Sequence, residues 1–196
     1  MEKLDLLYEG KAKRVYKTDD PRYYIIEYKD EATAFDGKKK GIIQGKGTVN
    51  NKVSAVFFQL LEENGVHTHF VELLSPTEML VKRVEIIPLE VIVRNYAAGS
   101  ISRRLGLEEG IKFDQPIVEF CYKNDELGDP MVNNYHILAM KLANEEEINA
   151  LTQQALRINQ ILSQFLLGKN IILVDFKLEF GRTDEGDIVL ADEISP

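Results

Sequence analysis

Val174-Asp175-Phe176-Lys177-Leu178-Glu179-Phe180-Gly181, followed after a short gap by Ala191-Asp192-Glu193-Ile194-Ser195-Pro196, is the stretch on which the reading of this chain turns. From 174 to 180, apolar and charged residues alternate without a break. On a β-strand, successive side chains leave opposite faces. Asp175, Lys177 and Glu179 therefore share one face, and Val174, Phe176, Leu178 and Phe180 the other. Between the two segments lies Asp184-Glu185-Gly186-Asp187, a turn sequence in which Gly186 can take the positive φ that a two-residue hairpin loop requires. With Glu185 and Gly186 as the central pair, counting outward places Glu179 opposite Asp192. Like charges directly opposed destabilise a sheet. A magnesium ion between them would remove that conflict, because it is a hard cation commonly held by one or two carboxylates and nucleotide phosphates. The plain alternative is a half-buried strand whose charged face meets water.

Working outward, 196 residues suit one large domain or two small lobes. A hydrophobic content of 44% and a charged content of 29% are those of a globular chain with a sizeable core. The net charge of −8 argues against bulk attraction to nucleic acid or to an anionic membrane. Any anionic ligand then needs cations gathered locally. Cys121 is the single cysteine, which excludes an intrachain disulfide and suits a reducing cytoplasm. No N-terminal stretch has the form of a signal peptide, and no apolar run reaches membrane-spanning length, so a cytoplasmic location is expected.

The first third reads as strands: Leu6 to Tyr8, Lys13 to Tyr16 and Tyr23 to Tyr28. Lys38 to Gly47 reads as a basic loop. A helix is expected from near Thr48 to Asn64-Gly65, burying Val53, Val56, Phe57, Leu60 and Leu61. Strands return at Thr68 to Leu74, Glu78 to Val84 and Val91 to Asn95, and Ser100 is placed to cap a short helix carrying Arg103 and Arg104. The clearest helix is expected over Glu145 to Leu167. Asn144 caps it, three glutamates lie at the positive end of its dipole, and Gly168 ends it. Its stripe of Ile148, Leu151, Ala155, Ile158, Leu162 and Phe165 reads as core. A boundary between two lobes is expected near Pro88, giving a β-rich lobe over 1–87 and an α+β lobe over 88–196.

Three further motifs bear on chemistry. In Glu9-Gly10-Lys11-Ala12-Lys13-Arg14-Val15-Tyr16 a glycine turn precedes two lysines placed to share a strand face and reach a phosphate; a solvated hairpin is the alternative. Gly41-Ile42-Ile43-Gln44-Gly45-Lys46-Gly47-Thr48 lacks the spacing of a Walker loop, and no G-x-G-x-x-G occurs. In Val93-Arg94-Asn95-Tyr96-Ala97-Ala98-Gly99-Ser100 a strand runs into a helix start, where Arg94 and Ser100 could join backbone donors on an anion. The alternative is a helix cap beside a surface cation. His67 and His69, with His136 distant and no clustered cysteines, do not make a zinc set.

Taken in order, these motifs resemble the phosphoribosylaminoimidazole-succinocarboxamide synthase family, also called SAICAR synthetase. The resemblance runs through Tyr8-Glu9-Gly10-Lys11-Ala12-Lys13, Phe35-Asp36-Gly37, Lys46-Gly47 with Asn50-Asn51, Pro88-Leu89-Glu90-Val91 and Arg94-Asn95 with Ala97-Ala98-Gly99-Ser100. It continues through Lys123-Asn124-Asp125 with Asp129-Pro130 and the terminal pair of segments quoted first. It implies an α+β fold of two lobes, an antiparallel N-terminal sheet over a mixed C-terminal lobe with ATP in the cleft. The implied enzyme is a ligase of purine biosynthesis. It joins carboxyaminoimidazole ribonucleotide (CAIR) to L-aspartate, with ATP as co-substrate and Mg2+ as cofactor, through an acyl phosphate. A cytoplasmic homodimer with small-molecule partners, and none among nucleic acids or membranes, is expected. An ATP-dependent small-molecule kinase and a nucleotide-binding regulatory module are the competing readings.

The resemblance also implies roles by position. Lys11, Ala12, Lys13 and Val15 would line ATP, with adenine against the backbone of Val81, Lys82 and Val84 and with Lys123 nearby. Glu179 and Asp192 would hold magnesium. Arg94 and Ser100 would bind the CAIR phosphate, Lys177, Asp175 and Asp36 would lie at the reacting end, and Asp129 near the nucleotide or second substrate. The family pattern continues past Ser195-Pro196 through an Asp-x-x-Arg-x-Trp stretch and C-terminal helices, so a further segment is expected there.

Overall fold

The structure, a computed structural model, describes the backbone of residues 1–34 and 39–195 and the side chains of 1–32 and 41–195. In chain order its elements are β1 (Lys3–Glu9), β2 (Lys13–Thr18), β3 (Tyr23–Tyr28), β4 (Glu31–Ala34), β5 (Lys39–Ile42), α1 (Lys46–Glu63), β6 (Phe70–Leu73), β7 (Glu78–Lys82), β8 (Glu85–Tyr96), α2 (Ser100–Leu105), β9 (Lys112–Tyr122), β10 (Met131–Val132), α3 (Asn134–Ala139), α4 (Glu145–Leu167), β11 (Asp175–Arg182) and β12 (Ile188–Ala191). They form two compact units, Met1–Glu85 with Thr183–Pro196, and Ile86–Arg182. The sequence division at 87/88 left the final segment with the second lobe. It groups with the first unit because Thr68 and Leu190 form a parallel bridge, and Val189, Leu190 and Ala191 are buried.

In the first unit, five strands follow the order β1-β2-β3-β7-β6, each pair antiparallel. Lys13 pairs with Tyr28, Val15 with Ile26, and Tyr24 with Val81. Directly paired residues share a face, so Lys13, Val15 and Val81 lie on one face of this sheet, and Lys82 on the other. The expected loop over 38–47 contains β5, which pairs antiparallel with β4; a strand partner fixed by folding overrides a glycine-containing, basic composition. Helix α1 starts earlier than expected. The Asp30 carboxylate, from outside the helix, accepts the amides of Gly45 and Gly47 at 3.1 and 2.9 Å. Its buried side is Asn50, Asn51, Ser54, Ala55, Phe58 and Leu61, whereas Val56 is exposed. The polar members account for the shift. Asn51 Nδ2 donates to the carbonyls of Ser75 and Glu78, and Ser54 Oγ to that of Ile194, so this face is chosen by hydrogen bonding as much as by hydrophobicity.

In the second unit the strands follow the order β10-β9-β8-β11. Strand β8 is longer than the expected Val91 to Asn95 and contains Pro88. Its Leu89, Val91 and Val93 are buried together with Phe120, Leu178 and Phe180. Helix α4 has the expected bounds. Asn144 accepts the Glu147 amide and the Glu147 carboxylate accepts the Asn144 amide, a reciprocal cap. Its buried stripe is the expected one with Asn159 and Ile161 added, while Phe165 is half-buried. Asn159 and Asn95 exchange two amide hydrogen bonds of 2.8 Å, tying α4 to β8. Gly168 stays right-handed; the left-handed residue that ends the excursion is Asn170, at φ 61.

Two local readings change. Ser100 is not a cap: Gly99 occupies that position, and no side chain caps α2. The turn before β12 holds three residues, not two, because Thr183 and Asp187 close it and Gly186, at φ 91, donates to the Thr183 carbonyl. Asp192 lies beyond the last residue of β12, in left-handed conformation at φ 60. The extra turn residue removes the count that opposed it to Glu179.

Candidate active site

Alternation in β8, β9 and β11 puts a row of charged side chains on the face opposite the apolar core of the second unit. Glu179 is 3% exposed, yet its carboxylate accepts from Lys123 Nζ at 2.7 Å and from Lys177 Nζ at 3.0 Å. Lys177 Nζ also donates to Glu90 Oε1 at 2.5 Å. Two ammonium groups thus compensate one buried carboxylate, which is how a charge survives removal from water. Desolvation opposes the charge of Lys177, but Glu179 and then Glu90 outweigh it and hold the ammonium pKa above the usual lysine range. Glu90 was absent from the sequence-derived site. Its alternation with Leu89 and Val91 was the available signal.

Further along the same face of β8, Arg94 is buried in a fork of partners. Nε donates to Glu119 Oε2 at 2.8 Å, Nη1 to Asp175 Oδ2 at 2.9 Å and Nη2 to Ser100 Oγ at 3.0 Å. Arg104 also reaches Glu119. The structure therefore brings together Arg94 and Ser100, which the sequence reading assigned to the substrate phosphate, with Asp175, which it assigned to the reacting end, and adds Glu119. Three of the five guanidinium N–H groups are engaged. Asp129 serves its own loop: its Oδ1 accepts the Asn124 amide at 2.8 Å, and its φ is 49.

In the first unit, Lys13 Nζ contacts Asp192 Oδ1 and lies 3.8 Å from Glu193 Oε2. Burial works against this ammonium, but Asp192 and Glu193 prevail and raise its pKa above the ordinary lysine value. Lys11 does not share the strand face with Lys13, because β2 begins at Lys13; Lys11 and Ala12 lie in the bend before it. The Gly10 amide donates to the Lys13 carbonyl, the Lys29 amide to the Ala12 carbonyl, and Lys29 Nζ to Glu9 Oε1, so Lys29 fixes this bend. A Cβ at Gly10 would stand 3.1 Å from the exposed Tyr8 ring, which can move aside. Val81 is buried in β7, and the Lys82 amide donates to the His69 carbonyl at 2.7 Å. Val84 follows β7 and is half-buried. Asp36 lies outside the described residues. The carboxylates Asp192 and Glu193, like Glu179, offer only oxygen, the donor chemistry of a hard cation such as magnesium and not of a thiophilic metal.

In this α+β fold, one sheet face of the second unit carries a buried carboxylate between two ammonium groups and a forked guanidinium, in a chain of net charge −8. The family model described as SAICAR synthetase matches residues 6–196. The chain belongs to the SAICAR synthetase family. It is 66% identical over 196 residues to the phosphoribosylaminoimidazole-succinocarboxamide synthase of Caldanaerobacter subterraneus subsp. tengcongensis, covering 100% of this chain and 83% of that protein. The crystal structure of the synthase from Ehrlichia chaffeensis superimposes with a TM-score of 0.95 at 47% identity, over 98% of this chain and 82% of that one. A SAICAR synthetase (Type-2) solved in complex with ADP gives a TM-score of 0.93 at 51% identity, over 96% and 80%. The chain is an enzyme with a ligase role in purine biosynthesis. No helix among its described residues is long and apolar enough to cross a membrane.

Proposed function

We propose that the enzyme joins CAIR to L-aspartate and converts ATP to ADP and phosphate. The observation that carries this reading is the family match over residues 6–196, together with the charged face around Glu179. A relative in complex with ADP supports the use of ATP. A carboxylate is a poor acyl donor. In the proposed sequence a CAIR carboxylate oxygen bonds to the γ-phosphorus of ATP and ADP departs. The aspartate amine then attacks the acyl carbon, phosphate leaves with its bridging oxygen, and the amine gives up a proton as the amide forms.

In the first unit, Lys11, Ala12 and Lys13 serve the ATP phosphates, Val15 lines the nucleotide, and the backbone of Val81, Lys82 and Val84 receives the adenine. In the second, Lys123 serves the nucleotide, Arg94 and Ser100 the CAIR phosphate, and Asp129 the loop beside nucleotide or second substrate. Lys177, held between Glu90 and Glu179, keeps a full positive charge to offset negative charge developing at the reacting carbonyl. Asp175 and Asp36 are assigned to the same reacting end. Glu179 in the second unit and Asp192 in the first would each offer carboxylate oxygen to magnesium. Among the described residues no group of three or more His, Cys, Asp or Glu is gathered for a metal, so phosphate oxygens and water would complete the shell. When bound, magnesium supplies screening of phosphate charge. The reading includes a cytoplasmic homodimer.

The test is turnover of purified protein with CAIR, aspartate and ATP. ADP release should require both partners, and mass spectrometry should show the amide product. ADP release with CAIR alone and a stable phosphorylated product would replace this reading with that of a kinase.

A further inference from the structure

We propose that His69 and Ser54 are positioning residues that hold the backbone around Asp192 in the geometry its carboxylate needs. The inference rests on the reading of Asp192 as a ligand of the magnesium-nucleotide complex, and all the groups involved belong to the first unit.

The starting point is backbone strain. Asp192 stands at φ 60, a conformation that costs a residue with a Cβ about 1 kcal/mol and persists only where its surroundings enforce it. Two anchors flank it. Two residues before it, the Leu190 carbonyl accepts the His69 amide at 2.9 Å and lies 3.2 Å from His69 Nδ1. Two residues after it, the Ile194 carbonyl accepts Ser54 Oγ at 3.0 Å. Both anchors are fully buried, and the His69 ring is itself fixed edge-on against Phe58, with centroids 5.2 Å apart. Each binds a carbonyl, which gives it a route to Asp192 through the main chain, and the buried His69 ring also feels the Asp192 carboxylate through space. Between them the Asp192 carboxylate meets Lys13, which fixes its other end. Burial keeps the imidazole neutral, with its pKa pushed down to about 4. A carbonyl oxygen can only accept, so in this pair the ring nitrogen facing Leu190 is the N–H donor.

Groups hydrogen-bonded directly to a metal ligand are valued at about 10- to 100-fold in metal affinity, which bounds from above what anchors on the neighbouring main chain contribute. The experiment compares His69→Leu, His69→Asn, Ser54→Ala and Asp192→Asn in the whole chain. It measures Mg2+ binding in the presence of ADP by calorimetry, the Mg2+ dependence of turnover, and thermal unfolding. His69→Leu is expected to weaken Mg2+ binding by roughly 10-fold, and His69→Asn, whose amide can donate from the δ position, by far less. Ser54→Ala should act in the same direction and stands in if His69→Leu does not fold. Loss of thermal stability with Mg2+ binding unchanged in both His69→Leu and Ser54→Ala would overturn the proposal, as would equal losses in the Leu and Asn variants. If Asp192→Asn binds Mg2+ like the parent, the magnesium reading itself fails, and the positioning role falls with it. If only Asp192→Asn is impaired, the reading stands and the positioning role alone is rejected.

Discussion

Arg94 shows what a single residue gains from its surroundings. The sequence marks it as a phosphate ligand, whereas the structure also makes it the counter-charge of Glu119 and Asp175. Arg94→Ala should therefore cost about 1–3 kcal/mol of stability, because Glu119 and Ser100 lose a buried donor while Glu119 keeps Arg104 and Asp175 is partly solvated. Arg94→Lys keeps a charge but loses the fork. It should fold, and raise the CAIR requirement more than the ATP requirement; equal changes in steady-state kinetics would move the substrate phosphate elsewhere. His69 gives a pH prediction. Its pKa falls from an ordinary value near 6.5 to about 4 on folding, so between those values the unfolded chain binds more protons. Its contribution is fully present above pH 6.5 and is lost as pH falls through about 4, to a total of roughly 3 kcal/mol. Urea unfolding across this window should flatten in His69→Asn. Arg94, Lys13 and Glu179 were legible as charged residues in patterned strands. Glu90, Glu119 and Lys29 were not singled out, because an acidic or basic residue on a strand looks the same whether it faces water or a partner from another strand.

The elements divide by how local their causes are. Helix α4 has its start, stop and stripe written within its own residues, and its bounds follow from them. Asn144→Ala should cost about 1 kcal/mol in chemical denaturation. Helix α1 takes its N-terminal support from Asp30 and its buried face from carbonyls of Ser75, Glu78 and Ile194, all outside it, so of its expected stripe Leu61 is buried, Val53, Phe57 and Leu60 are half-buried and Val56 is exposed. Gly47 is the sharpest case, since a Cβ there would stand 2.6 Å from the Tyr28 carbonyl oxygen. Gly47→Ala must displace backbone and should lower the melting temperature far more than the ordinary gain in helix propensity could offset. The turn at Thr183–Asp187 depended on one residue in the loop count, and that single position shifts every pairing counted outward from it.

At the scale of the whole molecule, the family was legible because its motifs are strung along nearly the entire chain, from Leu6 to Pro196. The net charge of −8 makes local compensation necessary for anionic substrates, and raising ionic strength should increase the CAIR and ATP requirements by screening those local cations. Initial-rate measurements across a salt series check this. By itself, the sequence determined the alternation of β11, the bounds of α4, the α+β class and the family. These depend on periodicity, caps and motif order, all of which are short-range properties of the chain. Only the tertiary structure decided that Thr183–Pro196 joins the first unit, that Asp192 stands in left-handed backbone against Lys13, and that Glu90 and Glu119 complete the charged face of the second unit. Those facts depend on which distant residues meet across strands, and a hydrogen bond between groups more than a hundred positions apart leaves no periodic trace.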